Sequence, residues 1–182
     1  MIPTSNATSW GALKDRLSKA SPAQLLHLIR DLHALSSENR HFLEARFLPT
    51  DGQIEHYRRQ VEEAIYPDPL SQRRVSITRA KRAIREYERA TGDAEGAVDL
   101  RLTFVEQGTA QAVDLGFGDD DYFGALERML ETVLRALRHL PPPARGRYMV
   151  RLRRLRDTGG DLGWGYGDVL RASVAHVLSR QR

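Results

Sequence analysis

Along this chain, apolar residues return every three or four positions between short breaks of Pro, Gly, Ser and Asp. That period belongs to helices with one face turned inward. Ser9 is placed to cap a short helix carrying Trp10, Leu13 and Leu17. Ser21, Pro22 and Gln24 form a helix-start signature: a cap, a proline at the first helical position, and Gln three residues after the cap. Leu25, Leu28, Ile29, Leu32 and Leu35 make one face of the helix that follows. Ser37 restarts a helix through Phe42, Leu43 and Phe47, which Pro49 closes. Asp51 opens another, with Ile54, Tyr57, Val61, Ala64 and Ile65 in register, and Pro67 and Pro69 end it.

From Ser76 a longer helix turns Ile77, Ala80, Ile84 and Tyr87 inward and Arg82, Arg85 and Arg89 outward. Gly92 suits its C-cap and Asp93 the next N-cap. The segment Ala97–Gly108 is different. Ala97, Val98, Leu100, Leu102, Phe104 and Val105 cover more than half of the helix circumference. A surface helix has a narrower stripe, so this one is expected to be central. Gly108 is expected to stop it, with a short helix or turn over Thr109–Phe117. Asp119–Asp121 then opens a clean amphipathic helix with Tyr122, Leu126, Met129, Leu130, Val133 and Leu137 facing in. Prolines 141–143 end it, and a basic helix follows with Tyr148, Leu152 and Leu155 inward. Gly159 and Gly160 break that helix, and a last one carries Val169, Leu170, Val174 and Val177.

No segment alternates with the period of a strand. The expectation is an all-α domain of eight or nine short helices in antiparallel pairs, spanning residues 9–180 behind a disordered leader, 1–8. The pattern leaves open a globular bundle or a HEAT-like superhelix. A chain of 182 residues buries roughly 70% of its unfolded surface without staples. It has no cysteine, which removes disulfides, thiol catalysis and thiolate metal sites. The leader lacks the charged and apolar regions of a signal peptide, and no apolar run is long enough for a membrane span. A cytoplasmic protein with no membrane partner is expected.

Five pieces carry a resemblance: LSKASPAQLLHLIRDLHALSSENRHFLEARF, HYRRQVEEAIYP, ITRAKRAIREYERATGDAEGAVDLRLTFVEQG, GFGDDDYFGALERM and DLGWGYGD, in that order. Over roughly residues 9–178 the chain resembles an uncharacterised bacterial family known as a domain of unknown function. The resemblance implies an all-α fold. It implies no activity, cofactor or partner.

The candidate chemistry lies in a few clusters. Asp99, Thr103 and Glu106 form a thin polar strip on the central helix, and Arg101 falls inside the apolar arc. A buried guanidinium there needs a carboxylate. Five residues apart, Arg101 and Glu106 point about 140° from each other, so each must find another partner. Lys81, on the preceding helix, is the candidate for Glu106. Lys81, Asp99 and Glu106 either line an open cleft or form a structural ion-pair network in which Asp99 or Glu106 neutralises Arg101.

Six histidines show no spacing that puts two on one helix face, and no metal or cofactor is expected. His33 reads as a packed aromatic, and His27 with Asp31 as a solvated pair. Asp119, Asp120 and Asp121 read as a helix cap, since a calcium loop needs alternating ligands and a distal Glu. The glycines at 159, 160, 163, 165 and 167 resemble a phosphate cradle but follow no strand. They read instead as a tight turn that buries Trp164, with Gly165 in the turn and Asp168 capping the last helix. Arg145, Arg147, Arg151, Arg153, Arg154 and Arg156 lie in a stretch free of acids, the one nucleic-acid footprint in the chain. Net charge is only +4, however, and 25 of the 28 basic residues are Arg, a sign of codon usage more than of binding. The reading is a non-enzymatic helical domain with a protein partner. Nucleic-acid binding through the Arg145–Arg156 helix is the alternative, and a ligand or enzyme site at Lys81, Asp99 and Glu106 the weaker one.

Overall fold

The helix-start residues act as local chemistry requires. The side chains of Ser9, Ser21, Ser36, Asp93 and Asp119 each accept a backbone N–H from the first turn that follows. At Ser21 the bond is reciprocated: Gln24 Oε1 accepts from the Ser21 N–H at 2.8 Å. The computed structural model describes residues 9–48, 52–163 and 165–179. The expected leader and Trp164 lie outside them. Among the described residues there are nine α-helices, one 3-10 turn and no strand, so the all-α expectation holds. No helix among them is long and apolar enough to cross a membrane.

The chain divides into two compact units at Leu48. The first contains α1 (Trp10–Leu17), α2 (Pro22–Leu35) and α3 (Ser37–Phe47). Helix α2 packs on α3, yet Ala45 is the only buried residue in 9–48.

The second unit contains α4 (Gln53–Ile65), α5 (Ile77–Thr91), α6 (Ala94–Leu115), α7 (Asp120–Leu137), α8 (Pro142–Gly159) and α9 (Tyr166–Ser179). Helix α6 is central as its wide apolar arc predicts: α4, α5, α7 and α8 all pack on it. Leu100, Leu102, Phe104 and Val105 are fully buried. This is a bundle around one helix, not a stack of successive pairs.

Gly108 does not stop α6, which runs on to Leu115 and absorbs the turn expected at Thr109–Phe117. The glycine is there for close approach. A Cβ on Gly108 would lie 2.4 Å from Leu126 Cδ2, and Tyr122 Oη of α7 donates to the Gly108 carbonyl at 2.9 Å. The helix ends instead at Gly116, in the left-handed conformation at φ 62°. Near the other end, Tyr87 of α5 lies against Gly96 and donates to Asp93, the cap of α6, at 2.6 Å.

Candidate functional site

The polar strip of α6 is the natural place to look for chemistry, because a central helix has no reason to keep carboxylates unless something meets them. Asp99, Thr103 and Glu106 do share one face, and α8 and α4 supply what meets them. Arg151 of α8 reaches across the strip. Its guanidinium donates to Glu106 at 2.9 and 2.5 Å, to Thr103 Oγ1 at 3.1 Å, and to Asp99. Arg58 of α4 donates to the other Asp99 oxygen at 2.5 Å and lies 3.2 Å from Glu55. Asp99 is 16% exposed and Arg151 27%, so the network is largely desolvated. Burial alone would lower the Arg151 pKa. Hydrogen bonds and charge from Glu106 and Asp99 outweigh it and hold the group above the ordinary arginine value.

This arrangement corrects the expected partners. Lys81 is half-buried on α5 and makes no hydrogen bond or ion pair with the described residues, so it does not match Glu106. Lys81 lies on the helix just before, whereas the true partner comes from α8, 45 residues after Glu106. Neither Asp99 nor Glu106 neutralises Arg101: that guanidinium crosses to Glu88 of α5 at 2.5 Å. With both carboxylates engaged by arginines, neither is a free base, and the strip is not an open site.

The same contacts break up the expected basic face. Arg151 is consumed by the network, and Arg147 pairs with Glu95 of α6. Arg156 is paired with Asp157 at 2.7 Å. Arg145 falls within the apolar arc of α8 and is half-buried, while Arg153 and Arg154 are exposed. Six arginines placed around the whole circumference give no continuous phosphate track. Tyr148 faces inward as expected. Its hydroxyl donates to the Glu95 carbonyl at 3.1 Å. Burial, then the charges of Asp99 and Glu95, push its pKa up to about 12.

The glycine turn is built for backbone contact. A Cβ on Gly167 would sit 2.3 Å from the Gly160 carbonyl oxygen, and one on Gly159 2.4 Å from Thr109 Cγ2. Gly165 has φ 75°, a turn conformation that favours glycine. Arg171 staples the turn by donating to the Gly160 carbonyl and to Asp168 at 2.6 Å. Asp168 therefore does not cap α9: the helix begins at Tyr166, and Asp168 lies in its first turn. The expected burial of Trp164 falls outside the described residues. Below the turn, Tyr166 is fully buried and its hydroxyl meets Thr109 Oγ1 at 2.7 Å.

Asp119 is the cap of α7, accepting from the Tyr122 N–H at 2.8 Å. His33 is no packed aromatic: it is 42% exposed, with Nε2 3.2 Å from Glu44 of α3. Asp31 lies near Arg30 rather than His27. No group of three metal-ligating side chains converges among the described residues. No protein family, curated protein or solved structure matches the chain.

Proposed function

We propose that the chain is a protein-interaction module and that α1–α3 supply its contact surface. One observation carries the reading. Leu28, Ile29, Leu32 and Leu35 form the apolar stripe of α2, and they are 40–75% exposed. Trp10 on α1 and Phe47 on α3 are exposed as well, at 69% and 71%. Scattered apolar residues need no explanation, but a stripe at helical period along one helix marks a surface that is covered in use. An amphipathic helix presenting i, i+4, i+7 anchors is suited to a groove or helix face on another protein. The reading is further supported by the α6 strip, whose carboxylates are tied up in ion pairs and not poised for catalysis.

The test compares the full chain with the Leu28→Glu/Leu32→Glu variant. Affinity capture with quantitative mass spectrometry reports foreign partners, and sedimentation velocity reports self-association. Loss of a specific partner or of self-association, with the circular dichroism spectrum unchanged, is expected. Identical capture and sedimentation for both proteins would overturn the proposal.

A further inference from the structure

Helices α7, α8 and α9 leave two adjoining hollows of about 360 and 420 Å3, which share Leu134, Arg138, His176 and Val177. The range is that of small-molecule sites. The floor is apolar: Leu134, Leu137, Met149 and Val177. The rim is cationic, and two of its charges are unspent. Arg135 is paired with Glu131 at 2.8 Å, and Glu131 is the one acid among the described residues that line either hollow. Arg138 and Arg145 make no ion pair with any described residue. The Nε of Arg145 is, in addition, buried with no acceptor. A buried guanidinium donor without a partner is costly, and most such donors in folded proteins are satisfied. The Nε of Arg58 on α4 is likewise buried without an acceptor, but the rest of that guanidinium meets Asp99 and Glu55, whereas no carboxylate among the described residues meets Arg145.

We infer that this cleft binds a small anionic amphiphile: an apolar body lying on Leu134, Leu137, Met149 and Val177, with one carboxylate or phosphate head held by Arg138 and Arg145. Each feature assigns a part of the ligand. The apolar floor takes a chain or ring of similar length. The two forked guanidiniums take a planar or tetrahedral anion by charge-assisted hydrogen bonds. A cationic or neutral amphiphile would leave the unpaired guanidiniums of Arg138 and Arg145 without a counter-charge. The cleft lies wholly within residues 131–177, so its failure would leave the proposal for α1–α3 untouched.

The experiment is calorimetric titration of the full chain with decanoate below its micelle concentration. Decyl phosphate separates the two head groups. Decanol and decyltrimethylammonium are the neutral and cationic controls. Saturable binding of decanoate or decyl phosphate is expected, at least tenfold tighter than either control. Octanoate should bind about sixteenfold more weakly than decanoate, the transfer cost of two methylenes. Arg138→Met and Arg145→Met should each weaken the anion at least tenfold and leave decanol unaffected. Thermal melts guard against misfolding: Arg145→Met should melt no lower than the parent without ligand, because it removes an unsatisfied donor, and should lose the ligand-induced rise in Tm. Decanol binding as tightly as decanoate, or arginine variants with unchanged anion affinity, would overturn the inference, as would absence of binding by both anions.

Discussion

Helices α2 and α7 begin equally well and end in different surroundings. Each has a side-chain cap, and each carries apolar residues at the helical period. Helix α7 buries eight residues, and α2 buries none. The difference lies in the neighbours. Helix α7 lies against α6, where Gly108 lets Tyr122 and Leu126 come to backbone distance, and against α9. Helix α2 packs on α3 within a unit whose single buried side chain is a methyl group, that of Ala45. Local signals are enough to start and stop a helix. A core needs a partner surface with room for the apolar stripe, and in residues 9–48 that surface is missing.

The largest expected effect comes from deleting one phenyl ring in each region. Phe104 is fully buried on α6, and Phe47 on α3 is 71% exposed. Phe104→Ala should cost about 3–5 kcal/mol, the transfer and cavity terms for a buried aromatic. Phe47→Ala should stay within about 0.5 kcal/mol, as surface changes do. Chemical denaturation of the two variants checks both. Similar losses would erase the contrast between the regions.

Ion pairs give the second test. Arg151→Met strands Glu106 beside a hydroxyl and leaves Asp99 to Arg58 alone, and leaving a carboxylate desolvated without its cation is strongly destabilising. Residual solvent access reduces the penalty, so about 2 kcal/mol is expected from denaturation curves. Adding Glu106→Leu to Arg151→Met should recover part of that loss, because the stranded charge goes with it. The counterpart in the first unit is Arg30 beside Asp31, at 3.7 Å with both side chains about 70% exposed. Arg30→Ala should leave the midpoint where it is.

How much of this was legible depends on the range of each interaction. The all-α class follows from the period alone. The caps at Ser21, Asp93 and Asp119 follow from chemistry within three residues. The wide arc of Ala97–Val105 correctly marks α6 as central, because only a helix covered on several sides can carry it. Gly108 misleads because its role is set by Tyr122 and Leu126, on another helix, while reading glycine as a stop uses only local backbone preference. Lys81 misleads for the same reason: proximity along the chain was a poor guide to a network closed by α4 and α8. Arg145 was legible in principle, since it falls on the apolar arc of its own helix and reads as a basic residue only when that arc is ignored.

Tyrosine ionisation should act on the second unit alone, because all six tyrosines lie in it. Burial pushes Tyr166 up to about 12, and burial with nearby carboxylates does the same for Tyr148. An unfolded tyrosine ionises near pH 10. The folded state therefore holds its phenolic protons more tightly. Their contribution is fully present below about pH 10 and is lost as pH rises toward 12, at about 1.4 kcal/mol per pH unit for each. Denaturation midpoints taken across that window should fall accordingly, and Tyr166→Phe should make the fall shallower. A flat profile would mean that these phenols are not held neutral by the core.

The smallest expected effect is the sharpest test of the comparison, because it uses the same local chemistry in both regions. Ser21 caps α2 and Asp93 caps α6, each by accepting backbone N–H groups of the first turn. Removing either cap costs about 1 kcal/mol of helix stability. In α6 that cost belongs to the whole core, since opening the first turn also releases Ala97 and Val98 from buried positions. Asp93→Ala should therefore lower the global midpoint, with an added loss from the Tyr87 hydroxyl that donates to the same carboxylate. In α2 no buried side chain depends on the first turn. Ser21→Ala should speed amide exchange at Gln24 and its neighbours and leave the global midpoint unchanged, the behaviour of a locally unfolding segment. If Ser21→Ala instead lowers the midpoint as much as Asp93→Ala, α1–α3 share the cooperative unit of the core. Their apolar stripe is then already in use within the chain, and it is not free for a partner.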